Sequence, residues 1–268
     1  MSSGTVPPAT LVERKARFWE RTDYDRAFRG TFGAYMTRVE ADALDRTFPR
    51  ETPGALLDLG CGHGRFLRWL APRATRVIGL DRSWRLLQVA SEDERLQKAG
   101  AAPPLLFASA TEIPLRDGSL DAITCVRVIQ HVPDQDKALA EARRVLRPGG
   151  AFVLVQYNVV SPHGLIRAFK LPVKAALRAV LRAVGKEPAF DEPTRWTTWG
   201  GLAAQLRGAG FTVERVTGAW LFPLQYFRAK GSNDAWGPFL ALANALEKLA
   251  DVAPFKYLGG YLVVRCRR

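Results

Sequence analysis

The sequence predicts an α/β fold: a parallel sheet covered on both faces by helices. Two observations predict it. Five short apolar runs show little internal alternation, as strands buried on both faces do, and helical patterns separate them. A third observation places a site. The stretch LLDLGCGHGRFLRWL, Leu56 to Leu70, ends an apolar run in an acid and then brings three glycines within five residues.

From about Leu11 to Phe48 the pattern is helical and rich in aromatics, among them Phe18, Trp19, Tyr24, Phe28, Phe32 and Tyr35. Pro53 and Gly54 punctuate it. ALLDL (Ala55–Leu59) is the first strand, followed by a helix from about Gly64 to Leu70. RVIGL (Arg76–Leu80) is the second, and Ser83 is placed to cap a helix reaching Ala99. PLLFA (Pro104–Ala108) and AITCV (Ala122–Val126) are the third and fourth strands. Asp134 opens a helix that runs to about Leu146, and Pro148-Gly149-Gly150 ends it before AFVLVQ, the fifth strand. The alternation breaks at Tyr157 and resumes near Thr198. A helix (Leu202–Ala209) then leads through Gly210-Phe211 to the strand TVERVTG, and GYLVVRCRR is the last strand.

Composition narrows the class. The chain has 268 residues with an ordinary apolar fraction. No window approaches the roughly 18 apolar residues of a membrane span. MSSGTVPPAT has no charged segment leading into an apolar one, so no secretory signal is expected. Cys61, Cys125 and Cys266 lie far apart without CxxC spacing, which fits a reducing cytoplasm and no metal site. The net charge is +13. Such a balance suits nucleic acid, an anionic membrane or an acidic substrate, and equally an arginine-rich proteome.

In an open parallel sheet, ligands sit beyond the C-terminal ends of the strands, where the strand order reverses. A glycine turn there lets a ligand approach the backbone. Asp81, at the end of the second strand, can accept both hydroxyls of a ribose. The glycines are spaced GxGxG rather than the GxGxxG of dinucleotide sites, and Asp58 precedes them. A carboxylate at that point repels a pyrophosphate and suits an ammonium group. S-adenosylmethionine carries a ribose, an α-ammonium and no phosphate.

On these residues the chain resembles the class I S-adenosylmethionine-dependent methyltransferases, particularly the small-molecule enzymes similar to those of quinone pathways. DLGCGHG is similar to the family's first motif and GLDRS to its second. SATEIPLRDGSLDAITC resembles the third, VIQHVPD the fourth and EARRVLRPGGAFVL the fifth. The resemblance implies a Rossmann-like, mostly parallel seven-stranded sheet with an antiparallel last strand. It implies residues 1–50 as a tail and helical cap, and 51–268 as the methyltransferase domain with lid insertions at about 157–197 and 220–258.

It also implies a cofactor site. Asp58 with the backbone of Gly60, Cys61 and Gly62 would hold the methionyl part, and Asp81 the ribose, with Arg82 flanking the adenine. Ser109 stands where the family commonly has an Asp facing the adenine amino group, with Ala110 and Thr111 beside it. Arg127 would lie near the methionyl end, and Tyr24 in the cap over the cofactor. Methyl transfer is a displacement at a carbon already activated by a sulfonium, so positioning and water exclusion supply most of the acceleration. A base helps only where the acceptor must lose a proton. His131, after the fourth strand, is the candidate general base, or else a brace for its loop. His63 is expected to be exposed, and His163 suggests no role.

The acceptor is read from the insertions. VKAALRAVLRAV (Val173–Val184) puts Val173, Leu177, Val180, Leu181 and Val184 on one face and Lys174, Arg178 and Arg182 on another. Such a helix over 165–184 suits either a lid or a peripheral contact with an anionic membrane, on the inner face for a cytoplasmic protein. Trp196, Trp199, Trp220, Phe222 and Phe227 suit a small, apolar or aromatic acceptor. An RNA methyltransferase is the alternative. Against it, the fourth strand ends in CVRV rather than N/D-P-P-aromatic, and Thr124 precedes Cys125 where RNA cytosine-C5 enzymes have Pro. A nicotinamide-binding Rossmann protein is a third reading.

Overall fold

The computed structural model describes residues 30–98, 102–183, 194–228, 232 and 234–268. Its centre is one seven-stranded sheet: β1 (Ala55–Leu59), β2 (Arg76–Asp81), β3 (Leu105–Phe107), β4 (Leu120–Val126), β5 (Leu146–Tyr157), β6 (Thr212–Ala219) and β7 (Tyr261–Arg267). The order across the sheet is β3-β2-β1-β4-β5-β7-β6. The first five strands are parallel, and β7 runs antiparallel to both β5 and β6. The expected architecture is therefore present, last strand included.

Period-two alternation divides the core. Leu56, Val77, Val153, Val155 and Val263 face one side with the helix α1 (Gly30–Thr47) and the short α2 (Leu67–Leu70). Leu57, Ile78, Ile123, Phe152 and Leu262 face the other, under α5 (Gln135–Val145) and α7 (Trp199–Gly208). Successive strand residues point to opposite faces, so an apolar run such as ALLDL supplies both cores at once.

Side-chain caps start the helices where their sequences suggest. Ser83 Oγ accepts from Leu86 N at the head of α3 (Trp84–Glu92), and Asp134 Oδ1 accepts from Lys137 N at the head of α5. The helix expected to reach Ala99 is instead two. Asp93 interrupts it, and its carboxylate accepts from Arg95 N at the start of α4 (Glu94–Lys98). The helix expected from Val173 begins earlier: α6 spans Pro162–Ala183 and runs through Pro172. The second insertion contributes α8 (Gly237–Glu247).

The chain moves outward from β1 to β3 and then returns to β4 on the other side of β1. The strand order reverses between β1 and β4. Their C-terminal ends, Leu59 and Val126, open the crevice where a ligand fits.

Candidate active site

The turn after β1 folds back over the end of β2. The backbone N–H groups of Gly60 and Cys61 both donate to Leu80 O, at 2.7 and 3.0 Å. Gly60, Gly62 and Gly64 all have left-handed backbone, with φ of 77°, 54° and 84°. Side chains rarely adopt that region. At Gly60 space matters as well: a Cβ there would lie 2.2 Å from Val128 Cγ2. The bare backbone thus admits the opposite wall of the crevice, which comes from the end of β4.

A cleft of about 420 Å³ lies beyond β1, β2 and β4. Asp58, Gly60, Cys61, Gly62, Asp81, Arg82, Ser109, Ala110, Thr111, Arg127 and His131 all line it, so four separate segments of the sequence meet there. Tyr24 lies outside the described residues. His63, expected to be exposed, is half-buried and also lines the cleft.

The two acids sit at the ends of neighbouring strands. Asp58 is buried and its Oδ1 accepts from Thr124 Oγ1 at 3.0 Å. Burial pushes its carboxyl up to about 7, and the nearby Asp81 charge pushes the same way. Asp81 Oδ2 accepts from Gly62 N and its Oδ1 from Ser83 N, each at 2.8 Å. Burial raises its pKa, while these backbone donors hold the charged form. Each carboxylate oxygen retains a lone pair for a ligand hydroxyl. Ser109 uses its hydroxyl locally, accepting from Thr111 N at 3.2 Å. His131 closes a single 3-10 turn (Ile129–His131) at the rim.

One group escaped the sequence reading. Glu40, on α1, is completely buried, and its two oxygens meet two arginines of the cleft wall: Arg127 Nε at 2.9 Å, and Arg65. A signal existed. Glu40 shares a helical stripe with Met36, Val39, Ala43 and Leu44, all buried, and an acid on an apolar stripe calls for a partner. Arg127 also has φ of 60°, uncommon for a side chain of its size, and its N–H donates to Val155 O at 3.0 Å.

The aromatics of the insertions separate into groups. Phe222 and Phe227 cluster with Phe239 of α8, and Trp199 lies beside Tyr257. Trp196 stacks on Tyr157 at 4.8 Å, and Trp220 lies 3.8 Å from the ring of His163. In α6, Val173 and Val180 are exposed, while Lys174, Leu177, Arg178, Leu181 and Arg182 have side chains outside the described set. Among the described residues no helix is long and apolar enough to cross a membrane.

Residues 57–154 match the family model for a methyltransferase domain. The chain is 31% identical to the demethylmenaquinone methyltransferase of Mycolicibacterium paratuberculosis over 179 residues, 64% of this chain and 76% of that one. It is 31% identical to the 27-O-demethylrifamycin SV methyltransferase of Amycolatopsis mediterranei over 185 residues, 62% of this chain and 67% of that one. Two further curated relatives are matched over less of their own length, 32% and 42%. An S-adenosylmethionine-dependent methyltransferase structure from Thermotoga maritima has the same fold, with a TM-score of 0.62 at 21% identity, covering 94% of this chain and 99% of that one.

Proposed function

We propose, since the chain belongs to the class I S-adenosylmethionine-dependent methyltransferases, that it methylates a small, apolar or aromatic acceptor. The methyl donor is S-adenosylmethionine, whose sulfonium supplies the activated carbon. The observation that carries the assignment is the pair of acids, Asp58 and Asp81, at the ends of adjoining strands with the glycine turn between them.

That donor set fits the cofactor. A buried carboxylate with one hydroxyl partner suits an ammonium, and a carboxylate already held by two backbone donors suits a diol. We assign Asp58 and the backbone of Gly60, Cys61 and Gly62 to the methionyl part, and Asp81 to the ribose. Arg82, Ser109, Ala110 and Thr111 flank the adenine. Arg127, with Arg65, supplies positive charge at the methionyl end, where a carboxylate must be held. Helix α1 serves as the wall that fixes those arginines and keeps water out. His131, at the rim, takes the acceptor's proton where the acceptor must lose one, and otherwise braces the loop.

Two relatives support a small acceptor, since their names assign them a demethylmenaquinone and a demethylrifamycin. The RNA reading loses its nucleophile. Cys125 is fully buried, and burial pushes its thiol up, the environment of an inert rather than a reactive cysteine. A peripheral membrane contact through 165–184 has one observation in its favour: Phe169 and Val173 stand exposed beside Arg167 and Lys170.

The test uses methyl-tritiated S-adenosylmethionine, the purified protein and a fractionated bacterial lysate. Label extracted into organic solvent is expected. Label confined to RNase-sensitive material would overturn the small-molecule reading.

A further inference from the structure

A second pocket, of about 270 Å³, lies between the early turns of α6 and the segments that follow β5 and β6. Its walls include Tyr157, Arg167, Lys170, Trp196, Trp220 and Gln225. Among the described residues, the charged side chains that line it are cations, and no Asp or Glu contributes. Among the described residues neither Arg167 nor Lys170 has a carboxylate partner. Each lies over an aromatic ring instead, Arg167 5.2 Å from the centre of Trp196 and Lys170 4.0 Å from that of Tyr226.

The uncharged groups point the same way. The indole N–H of Trp196, the indole N–H of Trp220 and the side-chain oxygen of Gln225 are buried without a hydrogen-bond partner among the described residues. Buried polar groups are rarely left so, and their gathering in one wall calls for a ligand that satisfies them. Trp220 is 8% exposed and held at φ of 61°, a conformation that a residue of its size rarely adopts. Strain of that kind collects at ligand sites. His163 beside it is kept neutral, its pKa pushed down to about 3 by burial, so it adds no charge of its own. Tyr157 and Trp196 stack with their planes 17° apart, which makes one side of the pocket flat.

A single side chain links this pocket to the cofactor cleft. Tyr261, at the start of β7, packs on Tyr157 and Trp220 at 5.2 and 5.0 Å. Its hydroxyl lies 3.4 Å from Nη1 of Arg127, which lines the cleft. The wall segment is also tied to the candidate base: Arg195, between Thr194 and Trp196, donates its N–H to the carbonyl of Gln130, next to His131. The second pocket is thus joined to the cleft wall through Tyr261 and Arg127, and through Arg195 to the turn that carries His131.

The geometry points to this pocket as the acceptor site, shaped for a planar aromatic molecule that carries an anionic group such as a carboxylate or phenolate. Arg167, Lys170 and the two indole N–H groups face the anion, and the Tyr157–Trp196 wall takes the ring. This rests on the proposed methylation of a small molecule and narrows it.

The test compares two probes of one shape and different charge, 1-naphthoate and 1-naphthamide. Each is titrated calorimetrically into the protein saturated with S-adenosylhomocysteine. The naphthoate is expected to bind at least about tenfold more tightly, as charge-assisted hydrogen bonds do over neutral ones. That preference should vanish in the double variant Arg167→Gln, Lys170→Gln, while its S-adenosylhomocysteine affinity matches that of the parent. Equal binding of the two probes, or a preference unchanged in the double variant, would overturn the anionic class and leave a neutral aromatic acceptor standing. Binding of neither probe, with S-adenosylhomocysteine bound normally, would remove the aromatic pocket altogether. The small-molecule reading fails separately, by the label appearing in RNA.

Discussion

The buried carboxylate of Glu40 lies 2.9 Å from the guanidinium Nε of Arg127. Its other oxygen meets Arg65, so one acid of α1 fixes two cations of the cofactor cleft. All three side chains are at least nine-tenths buried. Removing one partner of a buried ionic group leaves the others uncompensated, which costs about 3–5 kcal/mol. Glu40→Ala is therefore expected to lose about that much stability in urea denaturation. Glu40→Gln should retain more of the fold yet bind S-adenosylhomocysteine more weakly. A Glu40→Ala midpoint equal to the parent's would show that the arginines are held by something else.

Asp58 sets a pH dependence. Its carboxyl has an ordinary value of 3.8 and titrates at about 7 when folded. A group whose folded pKa is raised favours folding most below its unfolded value, and that contribution is lost as pH rises through about 7. Ligand binding has the opposite sign, because the ammonium of the methionyl part recruits the ionised form. Affinity for S-adenosylhomocysteine should rise as pH climbs towards about 7, by up to about tenfold per unit, and then level off. Calorimetry in two buffers should detect the released proton. Asp58→Asn should flatten the profile, and an unchanged profile in that variant would remove Asp58 from the ammonium site.

Gly60 tests the turn. Alanine there meets both a φ of 77° and a contact of 2.2 Å with Val128. Overpacking of this kind costs about 1–3 kcal/mol before backbone strain is added. Gly60→Ala should shift the thermal midpoint down and weaken cofactor binding. Pairing it with Val128→Ala should relieve the clash and recover only part of the loss. Complete recovery would mean that space, and not backbone conformation, is what the glycine provides.

The central strands were legible because a strand buried on both faces is almost wholly apolar, and ALLDL is β1 residue for residue, although β5 opens at Leu146, before the Pro148-Gly149-Gly150 expected to precede it. The caps at Ser83 and Asp134 were legible because a short polar side chain before a periodic run has one obvious use. Asp93 hid its role for the related reason that an aspartate inside a helical pattern can compete for backbone N–H groups and stop the helix. Pro172 hid the length of α6, since a lone proline can be accommodated in a helix whose flanking turns continue. The cleft residues could be named because each motif lies at the C-terminal end of a strand, where a doubly wound sheet gathers them around the reversal of strand order between β1 and β4. The second pocket could not, because Tyr157, Arg167, Trp196 and Trp220 meet only in the folded chain. His163 looked uninformative by itself and gains meaning only from the Trp220 ring against it.

His131 decides between two chemistries. It stands on the turn Ile129–His131 that rims the cleft, and its backbone N–H donates to Val128 O at 2.8 Å. That anchor is a backbone bond, which replacement of the imidazole leaves in place. As a general base the imidazole would contribute about 10²–10⁴-fold. Once an acceptor is in hand, His131→Gln should reduce kcat by at least about a hundredfold with S-adenosylhomocysteine affinity unchanged. The loss should ease as pH is raised if the acceptor can shed its own proton. A variant with full turnover would assign the acceleration to positioning and water exclusion, and leave His131 as a brace. A fall in turnover matched by weaker cofactor binding would point to the brace as well, since a displaced loop disturbs both sites.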